Sequence, residues 1–420
     1  MSMDTVLVVN AGSSSVKFQV FAIEGDALKR LIKGQVEAIR TRPKLRAAGA
    51  DGKSLIEQAY SPEQVPDVAA ALRTAGAWLR DAHRLEPAAV GHRVVHGGPD
   101  YHKPMLIDAE VLNRLESYVP LAPLHQPNNL APIRALLSQY PGLPQIACFD
   151  TAFHRGHDPV VDHYAIPEHL YRDGVCRYGF HGLSYEYVAS RLRSIAPGMA
   201  AGRVIVGHLG SGASMCALSN GRSIESTMGF TALDGLPMGT RSGQIDPGVV
   251  LYLIEQTKMS SEEVRSLLYG SCGLIGLSGL SGDVRELEKS SSPRARFALD
   301  YFAYRVGLYA GQLAAALGGV DAFVFTAGIG ENSAAMRCRI VERLGWLGAI
   351  LDPEANEAAK PVIAKPESRI GLFIIPTDEE LMIARHTLAL LGERAASAGR
   401  EQRPDRRAPL SGTLRRRSSR

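Results

Sequence analysis

The chain reads as an α/β protein of two domains whose sheets are covered by helices. Three observations predict this. Apolar strand-like runs alternate with longer helical patterns. At 420 residues and 45% hydrophobic content, the chain exceeds one ordinary domain. Two motifs also recur, in the same order, in its two halves.

Strands are predicted at 6–10, 16–22, 90–95, 145–149, 203–208, 214–218, 322–326 and 371–375. Helical periodicity covers 128–139, 184–194, 247–257, 261–269, 295–317 and 378–391. The first two strands flank Asn10-Ala11-Gly12-Ser13-Ser14-Ser15, with Lys17 just beyond. That hairpin tip offers backbone N–H groups, hydroxyls and one ammonium, the donors a phosphoryl group requires. A Walker A loop is excluded, because no Gly precedes Lys17 and a strand follows. "GSG" (210–212) and "GIG" (328–330) each lack the third glycine of a dinucleotide fingerprint.

"VLVVNAGSSSVKF" from Val6 resembles "VIVGHLGSGASMC" from Val204, with Gly12 and Gly210 in register. "AVGHRVVHGG" (89–98) is echoed by "AFVFTAGIGENS" (322–333). Two related halves facing each other across a cleft are expected, with the His-, Asp- and Pro-rich segment 148–170 as the passage between them.

The net charge of +4 is misleading. Residues 394–420 hold nine arginines against Glu401 and Asp405, so this tail carries +7 and the remainder about −3. The body therefore shows no nucleic-acid face, and the tail, poor in large apolar residues, is expected to be disordered. Five isolated cysteines suit a reducing cytosol. Met1-Ser2-Met3-Asp4 leads straight into a strand, so no signal peptide is expected. The apolar window 306–320 is interrupted by Gln312 and Gly318-Gly319, so no membrane span is expected.

Arg93 and Arg241 each sit among small residues that let a ligand approach; two guanidiniums in one cleft would suit a carboxylate or a transferring phosphoryl group. His92 and His96 lie four apart, but without a third ligand a metal is not expected. Asp150 ends an apolar strand, and His181 precedes a helix read as capped by Ser184. Thr377 and Glu380 form a candidate capping box, which leaves Glu379 free to reach a metal ion.

"VNAGSSSVKF", "HRVVHGG", "FDTAFH", "YGFHGLS", "HLGSGAS", "TMGFTALDGLPMGTRSGQIDPG" and "FTAGIGENS" together resemble the acetate kinase (acetokinase) family, in the family's order, from about residue 5 to 392. The resemblance implies a duplicated ribonuclease H-like (actin-like ATPase) fold with two domains facing a nucleotide cleft. These would be residues 1–151 with a C-terminal helix at about 381–393, and residues 152–380. It also implies a cytoplasmic, homodimeric enzyme that uses ATP/ADP and Mg²⁺, with Mn²⁺ as an alternative, to phosphorylate a short-chain carboxylate reversibly.

Residue by residue, the resemblance puts Asn10, Ser13, Ser15 and Lys17 on the first phosphate hairpin, Asn10 being assigned with Glu379 to the metal. It makes Arg93, Asp150, His181 and Arg241 catalytic, and places Val95, Leu124, His125, Phe180 and Ala232 with Arg93 around the carboxylate. His208, Gly210, Ser211 and Gly212 fall on the second phosphate loop. Asp283, Val284, Arg285, Gly328, Gly330, Glu331 and Asn332 fall on the nucleoside side. Ala232 stands where the family commonly has Pro, which predicts room for propionate; Ser211 replaces a commoner Asn; Gly282 replaces a commoner Ser, which predicts looser adenosine contacts.

Overall fold

The computed structural model describes residues 4–12, 14–123 and 125–401, the last seven through their backbone only. Ser13, Leu124 and residues 402–420 therefore lie outside the described residues, and with them two of the expected site positions and most of the arginine-rich tail.

Thirteen strands form two sheets among the described residues. The first contains β1 (Thr5–Ala11), β2 (Val16–Glu24), β3 (Ala27–Glu37), β4 (Lys44–Gly49), β5 (Ser54–Ala59), β6 (Pro87–Val94), β7 (Met105–Leu106) and β8 (Gln145–Phe149), in the order β5-β4-β3-β2-β1-β6-β8-β7. The second contains β9 (Arg203–Leu209), β10 (Ala213–Ser219), β11 (Arg222–Ser226), β12 (Ala322–Thr326) and β13 (Gly371–Ile374), in the order β11-β10-β9-β12-β13.

The recurrence in sequence is a recurrence in topology. β3-β2-β1-β6-β8 and β11-β10-β9-β12-β13 follow one plan, an antiparallel meander of three strands continued by two parallel ones. The glycine loops of the two repeats are the tips of the β1–β2 and β9–β10 hairpins.

The helices that matter below are α1 (Val68–His83), α2 (Gln126–Gln139), α3 (Gly182–Ile195), α4 (Pro247–Glu255), α5 (Val284–Lys289), α6 (Pro293–Leu317), α7 (Ala327–Asn332) and α8 (Glu379–Glu401). Helix α1 covers one face of the first sheet, where Val9, Phe18, Val20 and Val90 pack with Ala71 and Leu79. Helix α8 returns to the other face, where Ile383 and Ala384 pack against Val6, Val8 and Ile146. Helix α6, 25 residues long, carries the largest core, Phe302 and Val306 meeting Met215, Phe323 and Phe325 of the second sheet.

Each predicted strand and helix is present, with ends moved by a few residues except for the last helix, which runs ten residues further. The sequence reading missed β3, β4, β5, β7 and β11, and α1, α5 and α7 among the helices. β5 buries none of its side chains fully, so it shows no apolar run. α1 is rich in alanine, and its clearest start signal is Asp67, whose carboxylate accepts from the Ala70 N–H. Helix α8 runs to Glu401, eight residues into the segment expected to be disordered.

Candidate active site

Parallel strands β1, β6 and β8 lie side by side and end along one edge, which sets Asn10, Arg93 and Asp150 in a row. The carboxyl edge of parallel strands is where an α/β sheet leaves side chains free for a ligand. Arg93 donates two parallel hydrogen bonds to Asp150, Nε to Oδ1 at 2.9 Å and Nη2 to Oδ2 at 2.5 Å. Its Nη1 donates to Asn10 Oδ1 at 3.4 Å, and Nε lies 3.9 Å from a Glu379 oxygen. Against the cost of burial, Asp150 and Glu379 hold this guanidinium firmly charged. Glu379 opens α8. Burial raises its pKa to about 7, with Arg93 and Lys17 opposing, and Asp150 and Glu380 adding to the rise. Lys17 is exposed and faces Asn10 across the β1–β2 hairpin.

The second sheet supplies the other wall. His181 occupies the left-handed region (φ 57°) at the start of α3, and Ser214 Oγ lies 2.8 Å from its Nδ1. The Tyr185 hydroxyl lies 2.5 Å from that serine. With Tyr185 donating to Ser214 and Ser214 to Nδ1, the remaining ring proton sits on Nε2. Gly212 explains why that nitrogen is reachable: a Cβ there would stand 3.5 Å from His181 Nε2 and 4.0 Å from Arg241 Nη1. Arg241 is steered by the Ala232 carbonyl, which accepts from Nη1 at 3.1 Å. Burial and then Arg93 push its pKa down, Tyr269 opposing. His125 is brought to about 4 by burial and then by Arg241 and Arg93, with Asp150 opposing.

Beyond this group opens a cavity of about 960 Å³, lined by the 210–212 loop, Gly239, Arg241, the start of α5 and the α7 turn. Nine residues assigned to it or its mouth from sequence meet there: Gly210, Ser211, Gly212, Arg241, Asp283, Val284, Arg285, Gly328 and Asn332. Asp283 caps α5, accepting from the Arg285 N–H, and also pairs with the Arg285 guanidinium at 2.5 Å. Val95, Phe180 and Ala232 belong to a single apolar cluster with Ala122, Met228 and Met238.

Several expected site positions also make structural contacts. Glu331 Oε1 accepts from the Ala327 N–H at 2.7 Å and the Thr377 N–H at 3.0 Å, clasping α7 to the segment that leads into Glu379. Gly330 is buried beneath the same turn. His208 is stacked on His181 with ring centroids 4.1 Å apart. Ser15 serves the hairpin tip through its carbonyl, which accepts from the Gly12 N–H at 2.8 Å.

Ser184 does not cap α3, because its hydroxyl lies between His208 Nδ1 and Thr377 Oγ1, 2.8 Å from each. Thr377 is thereby spent, and Asp378 caps α8 by accepting from the Leu381 N–H. Gly282 does not loosen the cavity: a Cβ there would lie 2.6 Å from the Gly239 carbonyl oxygen, so glycine lets two lining loops touch. His92 bonds Gln145 and His96 accepts from the Gly98 N–H, and no group of three His, Cys, Asp or Glu fit for a metal occurs among the described residues.

The sequence reading also overlooked Arg337, fully buried, whose guanidinium donates to the carbonyls of Gly330, Glu331 and Asn356. It carried no signal, for it stands in no glycine-rich motif, whereas Tyr185 directly follows "YGFHGLS" and was passed over there.

The model of the Acetokinase family matches residues 5–385. The chain belongs to the acetokinase family. Acetate kinase of Nitrobacter hamburgensis is 65% identical over 402 residues, 96% of this chain and 100% of that protein. Among solved structures, a propionate kinase from Francisella tularensis aligns with TM-score 0.86 and 36% identity, over 92% of this chain and 100% of the other. Acetate kinase from Porphyromonas gingivalis aligns with TM-score 0.83 and 37% identity over the same shares. The repeated five-strand plan is thus the duplicated actin-like ATPase fold of acetokinases.

Proposed function

We propose that this acetokinase transfers the γ-phosphoryl group of ATP reversibly to acetate, and also to propionate, giving the acyl phosphate and ADP. The observation that carries the reading is the convergence of Arg93, Arg241 and His181 Nε2 at the mouth of a glycine-lined cavity. A carboxylate is already ionised at neutral pH, so its oxygen attacks phosphorus without a general base while the bond to the β-phosphate oxygen breaks. What the site must supply is alignment and positive charge in a water-poor setting. Arg93, immobilised by Asp150, would hold the carboxylate; Arg241 would accompany the phosphoryl group; neutral His181 would donate a hydrogen bond to its oxygens.

Asn10, Asp150 and Glu379 fit Mg²⁺, an ion held by one or two carboxylates plus phosphate oxygens and water rather than by a full protein cage. Their raised carboxyl and shared guanidinium describe acidic oxygens lacking a full complement of positive charge. Mg²⁺ would neutralise charge on the transferring phosphate.

The reading divides the chain into residues 1–151 with helix α8, and residues 152–380. A homodimer is supported by α4, the most apolar of the longer helices, none of whose residues is buried: Val249, Leu251, Tyr252 and Ile254 face outward. Free thiols at Cys148, Cys176, Cys216, Cys272 and Cys338 support a cytoplasmic setting, and no helix among the described residues is long and apolar enough to cross a membrane.

Hydroxylamine trapping of acyl phosphate with ATP and Mg²⁺ tests this over acetate, propionate and butyrate. Hydroxamate from the two- and three-carbon acids is expected, and Ala232→Pro should shift preference toward acetate. Absence of product from all three acids would overturn the assignment.

A further inference from the structure

A second cavity, of about 510 Å³, opens on the far side of the first sheet between α1, α2 and the strands. Its floor is Leu7, Val9, Phe18 and Val90. Leu7 lies mid-way along an inner strand, yet it is only partly buried while Val9, on the same face, is fully buried. An inner strand's apolar side chain is normally covered. Here α1 lines the space with the small residues Ala69, Ala75, Gly76 and Ala77 beside Leu72 and Leu79.

The rim is cationic. Arg73 and Arg80, two turns apart on α1, both line the cavity, and neither has a carboxylate partner among the described residues. Arg80 folds back over Gly76, where a Cβ would sit 3.5 Å from its Nη1, and donates to the Tyr140 hydroxyl at 2.7 Å across the mouth. Glu86 is the one acid in the lining, so the cavity's formal charge is +1. Apolar depth with a singly cationic rim matches an aliphatic chain ending in one negative charge. A phosphate monoester, with nearly two charges, matches it less well.

We propose that this cavity binds a medium-chain fatty carboxylate, its chain laid on Leu7, Val9, Phe18 and Val90 and its head at Arg80 and Arg73. The site is separate from the acyl pocket of Val95, Phe180 and Ala232, which belongs to another apolar cluster. β1 runs from this floor to Asn10 and β6 from it to Arg93, so the ligand packs beneath both strands that carry the reacting edge.

Calorimetric titration of the full chain with octanoate, with and without saturating acetate, tests the proposal. One saturable site indifferent to acetate is expected, weakened about tenfold by Arg80→Gln and abolished by Ala135→Phe, which fills the cavity from α2. Both variants should keep hydroxamate formation from acetate, which shows that they fold; Arg80 is exposed and its substitution is tolerated even if the larger one is not. No saturable binding, displacement by acetate, or indifference to both substitutions would each overturn the proposal. Octanol binding as tightly as octanoate would overturn the role of the arginines.

Discussion

The imidazole of His181 lies flat on that of His208, with centroids 4.1 Å apart and planes 14° from parallel. Two imidazolium rings could not stack this way in a buried site beside Arg93 and Arg241. Burial takes His208 to about 3, and burial with His208 and the two arginines takes His181 well below its usual range. His92, His96, His125 and His154 are depressed to between about 3 and 4, again first by burial. In the unfolded chain all six would titrate near 6.5. The folded state thus binds fewer protons, and stability falls as pH drops below about 6.5. Denaturant melts between pH 7 and 5 should show this loss, these histidines taking up about six protons on unfolding at pH 5 while Glu379 gives one back.

Arg93 meets both oxygens of Asp150, and only a planar fork does that. Arg93→Ala is expected to lower kcat by a factor of roughly 10³, in the range for arginines that neutralise a transferring phosphoryl group. Arg93→Lys should recover little of it, because one ammonium cannot span the pair. Steady-state kinetics with saturating ATP checks both.

Glu379, raised to about 7, is partly protonated at neutral pH without a metal. A carboxyl with a raised pKa favours the folded state when protonated, so its contribution is present at low pH and is lost as pH rises through about 7. Mg²⁺ binding should release this proton near pH 6.5 and tighten as pH rises. Calorimetry in two buffers of different ionisation heat measures the release, which Glu379→Gln should remove.

Glu331 holds two backbone N–H groups on one oxygen. Glu331→Ala leaves both without a partner, at a cost of about 1–3 kcal/mol each where buried. It should raise the KM for ATP and lower kcat together, since α7 and the start of α8 are released at once. Glu331→Gln keeps a carbonyl in place and should fall between the two. A change in ATP KM alone would return Glu331 to the nucleotide.

Leu251 and Tyr252 are more than half exposed on α4. Leu251→Asp should convert a dimer to a monomer in sedimentation experiments while leaving the far-ultraviolet circular dichroism unchanged, because no core contact of this helix is lost.

The two hairpins, the strand ends and the paired arginines were legible because each rests on a local pattern: apolar alternation broken by glycine, or a charged residue among small ones. The repeat was legible for the same reason, and it survives as a repeated strand order. β3 to β5 were not legible. They lie at the open side of the first sheet with at most one face covered, so no run of apolar residues marks them.

By itself, then, the sequence determined which residue types stand at the ends of the central strands, and with them the two glycine-tipped hairpins and the family to which the chain belongs. Tertiary structure alone decided what each side chain faces. Glu331 turned inward because two N–H groups freed by the α7 turn and the approach to α8 required an acceptor. Ser184 gave up its cap because His208 and Thr377, 24 and 193 residues away in sequence, met at its hydroxyl. Gly282 proved a contact rather than a gap because Gly239 lies against it. Such roles follow from which distant groups share a buried volume, and no local spacing records that.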